Sequence, residues 1–111
     1  MIKIFLTLAL LTLSTTASSW GGNALVNGNK LWEFCEPDEA NFSDGMCAGY
    51  ILGVHDQGRY ETYGSCIPNG VSAEQMIDLT RNYLRDNPAQ RHKSGEALVA
   101  AAFTDAWPCP E

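Results

Sequence analysis

Basic side chains are scarce in this chain of 111 residues, which has seven Lys and Arg against 13 Asp and Glu. Proteins that bind nucleic acid neutralise phosphates with clustered Lys and Arg, and this sequence has no basic stripe. Long apolar runs are missing after the first 20 residues, which excludes a protein with several membrane-spanning helices. No segment alternates between apolar and polar residues as a half-buried strand does. The sequence therefore predicts one small all-α domain that binds neither nucleic acid nor, once mature, a membrane.

The N-terminus has the three-part layout of a secretory signal peptide. One early cation, Lys3, precedes an apolar run over residues 4–13, and small polar residues follow. The run is about half as long as a bilayer-crossing helix needs, which disfavours the alternative of an uncleaved membrane anchor. We expect cleavage after Ala17 or Ser19, which assigns residues 1–19 to the signal peptide. Residues 20–111 then form a single exported domain.

The rest of the sequence predicts four helices. Short apolar spacing marks a first helix over residues 30–35, and helical spacing continues from residue 44 to about residue 60, with Ser43 as its N-cap. Ser72 and Gln75 form a capping box for a third helix, which Asn87 and Pro88 end. A fourth helix follows residue 93 and ends at Pro108. Short connections between these segments predict an up-down four-helix bundle.

Four cysteines are expected to form two disulfides, because an exported protein meets an oxidising compartment. In an up-down bundle Cys35 and Cys47 lie at one end, and Cys66 and Cys109 lie at the other. A helix of sixteen residues is about 24 Å long, whereas bridged Cα atoms lie within about 7 Å. This predicts the pairs Cys35–Cys47 and Cys66–Cys109. The rival is a zinc site, but the sequence has no Cys-x-x-Cys pair, so we expect no metal and no cofactor.

Three glycines recur at every fourth position of the second predicted helix: Gly45, Gly49 and Gly53. Each costs about 0.8–1 kcal/mol in a helix interior relative to alanine. Close approach of a neighbouring backbone would offset that cost. The spacing therefore predicts a tight helix crossing at these three positions.

The residues that could carry catalysis do not assemble into a known arrangement. A cysteine nucleophile needs a free thiolate beside a base, and all four thiols are assigned to bridges. His55 and Asp56 are adjacent on a helix, so their side chains are expected to point about 100° apart. A carboxylate pair for glycoside cleavage stays open, but the chain is small for a substrate cleft, and scattered surface acids are the favoured explanation of the composition. The sequence predicts a binding protein and not an enzyme.

Two surface segments are candidates for partner binding. The first is an acidic loop with Glu36, Asp38 and Glu39, followed by Phe42, an apolar anchor of the kind that dominates interface energies. The second is the basic turn with Arg91 and His92, expected at the same end of the bundle. A solvated loop is the alternative interpretation of both segments.

Several short segments together resemble the Rap/Tai immunity proteins, which protect bacteria against amidase effectors delivered by type VI secretion. The segments are CAGYILGV from Cys47, CIP from Cys66, VS followed by Gln75, YL from Tyr83 with Pro88, ALV from Ala97, and WPC ending at Cys109. The resemblance covers the chain from about Leu31 to Cys109. It implies an exported α-helical protein, often a homodimer, that binds a peptidoglycan-cleaving amidase in the periplasm and blocks its cleft.

Two other functions fit the same exported scaffold. The first is inhibition of a phage endolysin or another lysozyme-like wall hydrolase. The second is a periplasmic acid-stress chaperone, which opens when its carboxylates are protonated. Two disulfides would resist such opening.

Overall fold

The computed structural model describes residues 24–36 and 42–111, with the side chains of residues 59 and 60 left aside. Within these ranges the chain forms four α-helices and no strand longer than an isolated bridge. They are α1 (Gly28–Cys35), α2 (Phe42–Gln57), α3 (Ala73–Asp86) and α4 (Gly95–Ala106), with 3₁₀ turns at Arg59–Tyr63 and Pro88–Gln90. The predicted four-helix all-α fold is confirmed.

The predicted signal peptide, residues 1–19, lies outside the described residues, and its cleavage stays a prediction. Among the described helices, none has both the length and the apolar character needed to cross a bilayer.

Side-chain caps fix the start of three of the four helices. The Asn27 side chain accepts the Lys30 N–H at 3.0 Å and starts α1 two residues earlier than predicted. The capping box of α3 is confirmed, because Ser72 Oγ accepts the Gln75 N–H at 3.2 Å and the Gln75 side chain accepts the Ser72 N–H at 2.8 Å. Ser94 caps α4 through the Ala97 N–H at 3.3 Å.

Both predicted ends of α2 were wrong. Ser43 is not the N-cap, since α2 already includes Phe42 and Ser43 lies within its first turn. At the other end α2 stops at Gln57, three residues before the predicted end. Gly58 has a φ of +75°, and its N–H bonds to the His55 carbonyl at 3.0 Å. A left-handed glycine after the last turn ends the helix there.

The core is built around α4, and each of the other three helices contributes a large buried side chain to it. Phe103 and Val99 of α4 are fully buried, and they pack with Leu31 of α1, Ile51 of α2 and Leu84 of α3. Burying aliphatic and aromatic side chains of this size contributes about 1.5–3 kcal/mol each.

Both predicted disulfides are confirmed. Cys35–Cys47 joins the end of α1 to the first turns of α2 and is fully buried, with the Cα atoms 5.0 Å apart. Cys66–Cys109 joins the chain after α2 to the chain after α4, with a Cα separation of 4.8 Å. On the chain-entropy model the two closed loops contribute about 3 and 4 kcal/mol. The second bridge also lies beside two backbone hydrogen bonds, from Cys66 N–H to the Trp107 carbonyl and from Cys109 N–H to the Gly64 carbonyl.

Candidate functional site

The predicted tight crossing at the α2 glycines was wrong for the described part of the chain. An added Cβ at Gly45, Gly49 or Gly53 would meet none of its atoms within 4 Å, and all three glycines are exposed. The buried side of α2 is carried by Cys47 and Ile51, together with Val54. At about 100° per residue, the glycines lie on the opposite side of the helix.

This opposite side is the outer face of α2, which we define as Phe42, Gly45, Met46, Gly49 and Gly53. It carries two of the large apolar side chains that are exposed to solvent, Phe42 at 77% and Met46 at 37%. The outer face therefore combines apolar anchors with bare backbone. Exposed apolar surface of this kind marks interaction sites more often than isolated exposed residues do.

An open cleft of about 630 Å³ lies between α2 and the start of α4, and we call it the α2–α4 cleft. Gly49 and Gly53 form one side of it, and Tyr50 and Val54 lie deeper in the fold. Its two acidic residues are Asp56 and Glu96. The cleft adjoins the outer face of α2 because Gly49 and Gly53 belong to both.

Tyr50 connects the cleft to the first turn of α4. The phenol lies beside the first turn of α4, where the Glu96 N–H acts on it as a hydrogen-bond donor. Burial raises the pKa of Tyr50, the negative charge of Glu96 raises it further, and the N–H bond opposes both. Gly95 must lack a side chain here, since a Cβ would lie 2.8 Å from the Tyr50 hydroxyl and 2.9 Å from the Val26 carbonyl oxygen.

The Glu96 carboxylate has an unusual environment. Its Oε1 atom is buried and has no hydrogen-bond partner among the described residues. A carboxylate in the first turn of a helix is favoured by the helix dipole, but that interaction does not replace a hydrogen bond. Asp56 supplies the second carboxylate of the cleft and is 82% exposed.

The acidic segment predicted to bind a partner is described only at its two borders. Glu36 follows α1 and is half-buried, with its N–H bonded to the Trp32 carbonyl at 2.9 Å. Phe42 begins α2 and is exposed. Asp38 and Glu39 lie outside the described residues. Partner binding by this segment stays a prediction.

Arg91, in the basic turn, has intramolecular contacts. Its guanidinium lies 4.4 Å from the Trp32 ring centroid, and its Nε donates to the Leu84 carbonyl at 2.7 Å. His92 is exposed, with Nδ1 3.1 Å from the Ala89 carbonyl oxygen. These contacts assign Arg91 a role in joining α1 to α3, and partner binding by Arg91 and His92 stays a prediction.

The sequence suggested that the two predicted partner segments lie at the same end of the fold, but the structure separates Glu36 from Arg91. The Arg91 carbonyl accepts the Asn29 N–H near the start of α1, whereas Glu36 follows its last residue. An eight-residue helix of about 12 Å separates them. The length of α1 therefore sets the distance between Glu36 and the basic turn.

The expected separation of His55 and Asp56 was also wrong. His55 Nδ1 and Asp56 Oδ1 are 3.0 Å apart, because both side chains turn toward each other near the C-terminal end of α2. The His55 ring also packs edge-on against Phe103, with the centroids 6.5 Å apart. All four cysteines are in bridges, so this pair has no thiol to activate. Within the described residues, no three His, Cys, Asp or Glu side chains form a group that could hold a metal ion.

Sequence reasoning did not identify the α2–α4 cleft or Glu96. The signal for the exposed glycines was present, because a helical projection of α2 places them opposite Cys47, Ile51 and Val54. For Glu96 no sequence signal existed, since an acidic residue in a first helical turn is commonplace.

Residues 27–109 match the family model of the Rap1a immunity proteins. The match runs from the N-cap of α1 to the last cysteine and includes all four helices and both disulfides. No curated protein and no solved structure matches the chain. The family resemblance inferred from the sequence motifs is confirmed.

Proposed function

The chain belongs to the Rap1a immunity protein family, and from this we propose that it is an exported inhibitor of a peptidoglycan-degrading amidase effector delivered by type VI secretion. Immunity proteins bind a cognate effector protein. The family match over residues 27–109 carries the proposal. The amidase target follows from the resemblance to the Rap/Tai proteins, and blocking the active-site cleft of the amidase is the corresponding mechanism.

Export to the periplasm is supported by two independent features of the chain. The first residues have the layout of a signal peptide. Both cysteine pairs have disulfide geometry, and such bonds persist in oxidising compartments such as the bacterial periplasm. Peptidoglycan lies in that compartment, so an inhibitor placed there meets its target where the damage occurs.

Binding without chemistry is supported by the surface of the fold. The outer face of α2 exposes apolar side chains and glycine backbone, and the adjoining cleft exposes carboxylates. Such a surface can bury area against a protein partner. A homodimer would use part of the same exposed surface and belongs to the proposal.

The test combines the mature chain, residues 20–111, with any amidase whose gene neighbours its own in the source genome. We expect a stable complex, and release of peptidoglycan fragments by the amidase should stop at equimolar inhibitor. The full chain should protect cells that export the amidase, whereas residues 20–111 made in the cytoplasm should not. Absence of a complex between the purified proteins would overturn the proposal.

The same preparation separates the two alternatives. Inhibition of a lysozyme-like endolysin, with no effect on the amidase, would make the chain an endolysin inhibitor. Protection of unrelated proteins from aggregation at low pH would favour the chaperone.

A further inference from the structure

The α2–α4 cleft has room for a side chain of a partner, since its volume is about 630 Å³. It is open to solvent, and one side consists of glycine backbone at Gly49 and Gly53. Without a Cβ at either position, a partner backbone can approach α2 more closely than side chains normally permit. The half-buried Tyr50 and the nearly buried Val54 provide apolar surface for the stem of an entering side chain.

The chemistry of the cleft favours a cation. Glu96 Oε1 is buried without a hydrogen-bond donor, and Asp56 adds a second carboxylate. None of the residues described as lining the cleft is Lys or Arg. Such an oxygen has lost its hydration without gaining a hydrogen bond, so a cationic donor that approaches the Glu96 carboxylate would offset part of that cost.

We propose that the α2–α4 cleft receives a lysine or arginine side chain of the effector, whose backbone packs on Gly49 and Gly53 while its cationic group pairs with Glu96. The effector as the source of this side chain rests on the proposed function. Lysine and arginine suit the cleft because their methylene stems pack on apolar surface while their charged ends form ion pairs. The acidic excess of the chain, 13 acidic against seven basic residues, favours a basic partner over a second copy of itself.

Tyr50 supports this assignment from inside the fold. The Glu96 charge contributes, after burial, to the raised pKa of the phenol, so the Glu96 carboxylate lies near Tyr50 in the cleft. The backbone N–H of Glu96 acts on the same phenol, and the Tyr50 hydroxyl lies close to Gly95, so Tyr50 packs against the first turn of α4.

The first experiment measures affinity for the purified amidase with two variants of the cleft. Glu96→Gln keeps the shape and removes the charge, and Gly53→Leu fills the cleft at a position where an added side chain meets open space. We expect each to weaken binding about tenfold or more. Glu74→Gln, in the first turn of α3, and Ala73→Leu are the matched controls outside the cleft, and both should bind within about twofold of wild type. Wild-type affinity in both cleft variants would overturn the proposal.

The second experiment needs no effector and so separates failure of the cleft from failure of the proposed function. A short alanine peptide with one central arginine is compared with the same peptide carrying citrulline, which has nearly the same shape and no charge. We expect the arginine peptide alone to shift the amide NMR signals of Gly49, Gly53 and Glu96, and Glu96→Gln to remove the difference. Equal shifts from the two peptides would overturn the cation site even if the amidase binds elsewhere. Should the wild-type chain fail to bind the amidase, the proposed function is wrong and the assignment of the effector fails with it. Self-association that depends on Glu96 would identify a second copy as the occupant and would also overturn that assignment.

Discussion

The guanidinium of Arg91 stacks on the ring of Trp32, with 4.4 Å between its central carbon and the ring centroid. Because Arg91 Nε also donates to the last turns of α3 at the Leu84 carbonyl, one side chain connects α1, α3 and the turn before α4. A basic residue that the sequence suggests for partner recognition thus has a structural use.

We predict that Arg91→Ala lowers the free energy of unfolding by about 1–2 kcal/mol, since it removes a cation–π contact and a hydrogen bond to a carbonyl. His92→Ala is the matched control, because His92 is exposed and its only described hydrogen bond is within the turn. It should stay within about 0.5 kcal/mol of wild type. Chemical denaturation of the three proteins checks both values. Equal stability of Arg91→Ala and wild type would show that the stack contributes nothing.

The α2 glycines lead to the opposite prediction from the one that their spacing suggests. Gly53 lies in an exposed helix interior, and its added Cβ would contact no described atom, so Gly53→Ala should stabilise the fold by about 0.8–1 kcal/mol. Gly95→Ala is the contrast, because its Cβ would lie 2.9 Å from the Val26 carbonyl oxygen, which cannot move aside easily. Thermal melts should show a higher Tm for Gly53→Ala and a lower one for Gly95→Ala. A lower Tm for both would indicate that something covers the outer face of α2.

Local chemistry explains why much of the fold was predictable from the sequence. The capping box of Ser72 and Gln75 depends on residues three apart, and the disulfide pairs followed from helix lengths and the 7 Å limit on bridged Cα atoms. The candidate site was harder, because it depends on which side of α2 turns inward. A glycine repeat has the same spacing whether it packs against a neighbouring helix or is exposed on the surface. The partnerless state of Glu96 Oε1 depends on the packing of α2 against α4, which no local pattern contains.

The two disulfides should differ in their resistance to reduction. Cys35 and Cys47 are fully buried, whereas Cys66 is exposed and Cys109 is half-buried. A thiolate must reach a sulfur atom to attack it, so mild reductant should open Cys66–Cys109 first. Alkylation followed by mass spectrometry should label Cys66 and Cys109 before the other pair. Simultaneous labelling of all four would instead mean that reduction proceeds through global unfolding.

Tyr50 should make the fold sensitive to alkaline pH. Burial, assisted by the charge of Glu96, raises the pKa of Tyr50 above its ordinary value of about 10. The unfolded chain therefore releases this proton at a lower pH than the folded chain, and stability falls as the pH rises above about 10. Tyr50→Phe should lose less stability than wild type on alkalinisation, because it has no phenol to titrate at this position. Urea midpoints across this pH range provide the measurement. Tyr63→Phe, at an exposed site, should retain the wild-type pH dependence, and an identical dependence in all three proteins would exclude Tyr50 as the cause.

Phe42 should act as an apolar anchor for the effector at the N-terminal end of the outer face. Its side chain is 77% exposed, so Phe42→Ala removes little buried surface from the free protein and should leave its Tm unchanged. At an interface the same ring would lose its contact with water, and truncation of a central aromatic commonly costs 2 kcal/mol or more, about thirtyfold in affinity. We expect the loss as faster dissociation from the amidase, because apolar contacts form after encounter and hold the complex together.

Replacing Glu36, Asp38 and Glu39 by their amides should lower the association rate constant with the amidase. These acids precede Phe42 in the chain, and charge outside the contact mainly guides the approach of a basic partner. Association should slow at low salt, and the difference should fade toward 1 M salt, where the screening length is about 3 Å.

Leu25→Ala is the matched control for Phe42→Ala, since Leu25 is 99% exposed and lies outside the outer face of α2. Surface plasmon resonance gives both rate constants for every variant. Wild-type rates in Phe42→Ala and in the triple variant would remove this segment from the interface, and the α2–α4 cleft would then have to bind the effector without it.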